Sequence, residues 1–213
     1  MQHTRGSRAV SRIAFAAALA GATVSLGGCF GLAATGMVVG GLAAADRRTI
    51  GAQTEDTGIE VKALAQLQQQ LGGSGGISVT SFNRKALFTG QVLDDSIKAR
   101  AGEIVAKLDN VRSVHNELQV SGRVSLTTSA ADTSITTRVK AALVDAKDLQ
   151  ANTVKVVTEA GVVYLMGIVT RTEGERAAQV ASRVGGVMRV VTVFEYVTPD
   201  ELARIERVNR EQK

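Results

Sequence analysis

Few side chains in this 213-residue chain are placed to do chemistry. Its single cysteine, Cys29, follows Leu26, Gly27 and Gly28, so no intramolecular disulfide can form and the thiol stands among small neighbours. The histidines are His3, near the start, and His115, in a strand-like pattern close to Glu117. A lone strand histidine is ordinarily a surface or edge residue, and no cluster with metal-ligand spacing accompanies it. Asp94 and Asp95 stand where a helix begins, a place that carboxylates occupy as caps. No serine lies in a GxSxG elbow. The run Gly72-Gly73-Ser74-Gly75-Gly76 lacks the lysine of a phosphate loop and precedes a strand, not a helix. These absences argue against an enzyme: no catalytic residue, metal ligand or cofactor is expected. Cys29 alone has a chemistry to offer, as a nucleophile that is itself modified.

What surrounds Cys29 supports that role. Arg5, Arg8 and Arg12 form a basic, acid-free start, followed by an apolar run over 13–26 that ends in small residues. This is the order of a secretory signal peptide. Leu26-Gly27-Gly28-Cys29 resembles the lipobox of bacterial lipoproteins, which implies cleavage between Gly28 and Cys29 and a thiol that takes up a diacylglyceryl group. Several acyl chains on one cysteine make a stable membrane anchor. Phe30 stands where an aspartate would signal inner-membrane retention, and so points to the outer membrane. A rival topology uses the same stretch: residues 13–45 carry no charge, more than the ~20 needed to span a bilayer, and Gly36 and Gly40 make a GxxxG spacing. The lipobox within it and its glycine content favour cleavage. The chain's net charge of +5 belongs mostly to the leader, since beyond residue 28 there are 22 basic and 20 acidic side chains. With no tryptophan and 3% aromatics, platforms for stacking nucleic-acid bases are lacking, and no nucleic-acid partner is expected.

The elements that remain are organised as a repeat. Over 152–169, Val154, Val156 and Thr158 alternate before Glu159-Ala160-Gly161, and Val163, Leu165 and Ile168 follow, the mark of a β-hairpin. The same pattern occurs over 77–92, with Ile77, Val79, Phe88 and Gly90 matching Val154, Val156, Leu165 and Gly167. Helices flank each hairpin. Ile59, Ala63, Leu67 and Leu71 line one face over 56–71, and Ile97, Ala101, Ile104 and Leu108 another over 94–108. In the second copy Ile135, Val139 and Leu143 precede the hairpin, while Ala177, Val180 and Val184 follow it over 172–184. Closing strands are expected at 111–120 and 187–197. Thr198-Pro199-Asp200-Glu201 then opens a last helix with the apolar stripe Leu202, Ile205 and Val208. The fold class is α+β: two tandem αββαβ modules, each a three-stranded sheet with two helices on one face, plus a C-terminal helix. The expected divisions are a signal peptide at 1–28, a lipidated tether at 29–54, a first module at 55–120, a linker at 121–131, a second module at 132–197 and a C-terminal helix at 198–213.

The lipobox, the tandem modules and the strings TSITTRVKAAL, NTVKVVTEAGVVYLMGIVT and ASRVGGVMRVVTVFEYV together resemble the dual BON-domain outer-membrane lipoproteins. The likeness runs from about 26 to 197 and is strongest over 132–197. It implies a lipid-anchored protein of the outer membrane that faces the periplasm, binds anionic phospholipids (phosphatidylglycerol, cardiolipin) and supports envelope integrity, in some members at division sites. It places lipid contact on the first helix of the second module, at Ser134, Arg138, Lys140, Ala141 and Val144. Close members carry a tryptophan where this chain has Ser134, so binding here is expected to be weaker and more electrostatic. The residues themselves fit a basic pair flanking an exposed aliphatic, able to touch phosphate and acyl boundary together. A different class of function stays open: an adaptor whose modules present a sheet to an envelope or peptidoglycan-remodelling protein partner, without lipid recognition of its own.

Overall fold

The computed structural model describes residues 46–72, 75–121 and 129–211. The leader, the Gly28–Cys29 junction, most of the tether, the rival span over 13–45 and residues 122–128 lie outside the described residues.

The first module runs α1 (Ile50–Leu71), β1 (Gly75–Phe82), β2 (Lys85–Val92), α2 (Asp95–Ala106), β3 (Ser113–Asn116) and β4 (Gln119–Val120). The second runs α3 (Ser129–Asp145), β5 (Val154–Glu159), β6 (Val162–Val169), α4 (Arg171–Ser182) and β7 (Arg189–Tyr196), and α5 (Pro199–Glu211) ends the chain. In each module the middle strand of the sheet pairs antiparallel with its hairpin partner and parallel with the closing strand: Val79 lies opposite Phe88, Val156 opposite Leu165, and Leu165 opposite Thr192. The first closing strand is interrupted, and β3 and β4 each pair with β2, bridged by the Glu117 amide donating to the Phe88 carbonyl at 3.0 Å.

Several helices start earlier than periodicity alone suggests. Thr49 caps α1 by accepting from the Ala52 amide, so the helix reaches into the expected tether. Likewise α3 begins within the expected linker. The α4 start carries a full capping box, with Thr170 and Glu173 bonding reciprocally, and Thr198 and Glu201 do the same for α5.

Each hairpin turns through two residues in the left-handed region: Asn83 and Arg84 (φ 49° and 65°), then Ala160 and Gly161 (48° and 73°). Two successive positive φ values make the type I′ geometry whose twist suits a hairpin, although three of these four residues carry a Cβ that disfavours it. A buried aspartate from the preceding helix holds both turns. Asp56 accepts from the Asn83 and Arg84 amides, each at 2.7 Å; Asp132 accepts from Ala160 and Gly161 at 2.8 and 2.9 Å. Gly90 has φ 116°, and a Cβ there would lie 1.8 Å from the Gly76 carbonyl oxygen, so only glycine lets these strands pair.

Three apolar clusters hold the chain together. Ile59, Ala63, Leu67, Phe88, Ala101 and Val105 fill the space between helices and sheet in the first module; Ile135, Val139, Leu143, Leu165, Ala177 and Phe194 do so in the second. The third lies behind the sheets. Phe82 and Leu87 of the first meet Val162, Tyr164, Met166, Ile168 and Val193 of the second, with Ile205 of α5 against the edge. The two modules therefore pack back to back. All eight residues of β6 are buried, odd positions such as Leu165 toward the helices and even ones such as Tyr164 toward the other sheet. Ile168 lies on the face opposite to Val163 and Leu165. Polar contacts rim the junction: Asn83 donates to Glu195 (2.7 Å), Lys85 to the Phe194 carbonyl (3.0 Å) and Lys155 to Glu60 (3.1 Å). Residues from 45 onward form a single compact unit.

Candidate functional site

Helix α3 is fixed from beneath. Ile135, Val139 and Leu143 recur at three- and four-residue spacing and are buried against the sheet, Asp132 grips the hairpin turn, and Thr136 donates to Thr158 of β5 at 2.7 Å. This fastening leaves the opposite face to solvent. Ser134, Arg138, Lys140, Ala141 and Val144 are all exposed, Val144 to 64%.

At about 100° per residue, Arg138 and Lys140 stand at opposite borders of that face, with Ser134, Ala141 and Val144 between them. Arg138 folds back, its Nε 3.4 Å from the Ser134 carbonyl, and its guanidinium lies over the turn after α4, where a Cβ on Gly186 would come within 3.2 Å of Nη2. Neither Arg138 nor Lys140 has an ion pair among the described residues. Two carboxylates lie near the helix start. Asp132 is buried in its clamp, and Glu159 is half-buried, with burial and the neighbouring Asp132 both raising its pKa above the usual range. The face can offer two cations and a patch of small and aliphatic surface.

Other candidates contribute little chemistry. His115 lies in β3 opposite Leu87; burial and the Lys85 charge lower its pKa, opposed by Glu117. Among the described residues no group of His, Cys, Asp and Glu could hold a metal ion, and no helix is long and apolar enough to cross a membrane. His3 and Cys29 lie outside them.

Two features have little local signal in the sequence. The paired clamps Asp56 and Asp132 were legible only as helix starts, although they occupy matching places in the repeat. The polar segment before α1 turns out to be a latch on the second module. Arg47, 4% exposed, donates to the Ile168 carbonyl (2.8 Å) and to both oxygens of Glu173 (3.0 and 2.7 Å), and faces Glu206 of α5 at 3.4 Å; Asn209 returns a bond to the Arg47 carbonyl at 2.8 Å. Burial pushes the Glu173 carboxyl up, but bonds from Arg47 and the Thr170 amide outweigh it and hold the pKa below the usual range. Nothing in a local pattern announces a contact spanning 126 positions.

The tandem architecture agrees with a family comparison. The model of the BON domain matches residues 55–122 and again 131–198. The chain belongs to the BON-domain family. Among curated relatives, the outer membrane lipoprotein DolP of Haemophilus influenzae is 34% identical over 183 residues, covering 85% of this chain and 95% of its own length. A protein named 21 kDa hemolysin from Actinobacillus pleuropneumoniae is 32% identical over 154 residues, covering 71% and 79% respectively. A solved structure of CdsD, a structural protein of the type III secretion system of Chlamydia trachomatis, overlays 68% of this chain and 97% of its own at 12% identity, with a TM-score of 0.28 that carries no argument. The BON protein described here is accordingly a dual-module lipoprotein, lipid-anchored in the outer membrane and facing the periplasm. Family and relatives point to a non-enzymatic protein.

Proposed function

We propose that this BON lipoprotein is anchored through acylated Cys29 and binds anionic phospholipid, phosphatidylglycerol or cardiolipin, with the outer face of α3 in its second module, in support of envelope integrity and division. The observation that carries this is how the surfaces are used. Helices cover one face of each sheet and the sheets cover each other's second face. An adaptor that presents a sheet to a partner has no free sheet face here. Both helices of the second module keep an outer face open, but on α4 Arg176 is paired with Asp148, whereas on α3 Arg138 and Lys140, bordering Ser134, Ala141 and Val144, have no ion pair among the described residues.

The mechanism is two-point attachment. Acyl chains fix the protein in the inner leaflet, and the bound helix brings cations to lipid phosphates, each worth roughly 1 kcal/mol near an anionic surface. Arginine can grip a phosphate with two parallel bonds, whereas lysine acts as a point charge. The aliphatic surface between them settles at the acyl boundary. With serine at position 134 this contribution is small, and electrostatics dominate.

Reversing both charges tests it. Arg138→Glu with Lys140→Glu should abolish association of residues 46–213 with phosphatidylglycerol–cardiolipin vesicles while the melting temperature stays put, because neither side chain supports the core. Undiminished binding by that variant would remove α3 from the mechanism.

A further inference from the structure

Among the large apolar side chains described, Met188 is the most exposed, at 81%. Its position is built, not incidental. Its amide donates to the Gly161 carbonyl at 2.9 Å, and its thioether rests over the hairpin turn, so close that a Cβ on Gly161 would meet sulfur at 2.9 Å. Val184 and Val187, from the same connection, pack into the core of the second module, and Gly186 turns with φ 92°. The connection is thereby pinned on both sides of its tip while Met188 is held outward.

An arginine stands at each end of that connection and a third lies over its turn. Arg183 caps α4 at one end of the connection and Arg189 opens β7 at the other, both exposed, and the Arg138 guanidinium from α3 lies over Gly186 between them. Of the acidic groups at this end, Asp132 holds the turn, Glu159 is half-buried beside it, and Glu117 pairs with Arg189 at 3.8 Å. An unbranched, polarisable apolar side chain on a connection that begins and ends with an exposed arginine suits the boundary of an anionic bilayer, where arginine meets phosphate and the thioether enters the acyl region.

We infer that the connection from Arg183 to Arg189 is a second membrane-contact element, continuous with the α3 face through Arg138, and that Met188 enters the lipid. This rests on the lipid-binding role proposed above and adds the apolar insertion that α3 largely lacks, since Val144 is the one large aliphatic among its five residues. It also orients the molecule: the hairpin-turn end of the second module faces the bilayer.

Residues 46–213 contain no cysteine, so M188C can carry a single environment-sensitive fluorophore, with I50C on the first module as control. Phosphatidylglycerol vesicles should shift the emission of the Met188 label to the blue and leave the Ile50 label unchanged, and phosphatidylcholine vesicles should shift neither. Unlabelled Met188→Gln should weaken binding to phosphatidylglycerol vesicles about five-fold, the effect expected of one interfacial side chain, with an unchanged melting curve. If the unmodified protein binds these vesicles but the label does not shift and Met188→Gln binds equally well, the inference fails while lipid binding by α3 stands. If the unmodified protein does not bind at all, both fail together.

Discussion

At Asp132 a carboxylate with two accepting oxygens meets two amides that the type I′ turn leaves without strand partners, and Asp56 repeats the arrangement. Asp56 also accepts from the Ser81 hydroxyl and from Arg48. Burial raises its pKa, and the bonds from Arg84, Ser81, Arg48 and Asn83 more than reverse this, leaving it below the ordinary aspartate range. Asp132→Ala should cost about 3 kcal/mol in a urea melt, because buried amides lose charge-assisted bonds. It should also loosen the α3 face relative to the hairpin turn, weakening vesicle binding although Asp132 touches no lipid. Tyr164 is the opposite case. Its hydroxyl is buried without a hydrogen-bond partner among the described residues, and burial, with Glu117 adding to it, pushes its pKa up to about 12. Tyr164→Phe should leave stability unchanged or raise it by up to about 1 kcal/mol, since an unpaired hydroxyl contributes nothing to the fold. A marked loss on the same melt would show that the hydroxyl has a role that its surroundings do not reveal.

The elements differ in how plainly the sequence announces them. Hairpins and inner helix faces follow from periods of two and about 3.6, and the repeat states each of them twice. Helix starts are less legible, because caps are short-range side-chain bonds, not periodic signals. Thr49 caps α1 seven residues ahead of Asp56, where the apolar pattern begins. The back-to-back packing had a signal that alternation concealed: VVYLMGIV is apolar at nearly every position, the composition of a strand covered on both faces. The α3 residues could be placed on an outer face from spacing, but the nearness of Arg138 to Gly186 and the outward Met188 arise from tertiary packing alone. The Arg47 latch was illegible for the same reason, and it makes α1, α4 and α5 one mechanical unit. Arg47→Ala should cost about 3 kcal/mol by leaving buried acceptors and Glu173 without their partner. The pH dependence has a definite sign. Glu173 has a lowered folded pKa, so its contribution is complete above the ordinary glutamate value of about 4.3 and is lost as the pH falls through the folded value. Urea midpoints measured on Glu173→Gln should fall less steeply below about pH 4.3 than those of the wild type; parallel curves would rule the pair out as a source of acid lability.

At the scale of the whole molecule, two small modules of limited core each solve the problem of an uncovered sheet by covering one another. The consequence is functional. With both sheet faces buried, recognition moves to the helices and the connections, and the chain leaves the compact unit next to Arg47, near the Ile168 end of β6, whereas Met188 and Arg138 lie at the Val162 end. Those ends are separated by six residues of strand, roughly 20 Å. The most direct test is flotation of residues 46–213, free of the acyl anchor, with phosphatidylglycerol–cardiolipin and with phosphatidylcholine vesicles at low and physiological salt. Flotation with the anionic vesicles alone, weakened as salt screens the arginine and lysine charges, is the result expected of headgroup binding by the second module. Failure to float under every condition would contradict it, leaving the acyl chains as the protein's sole hold on the membrane.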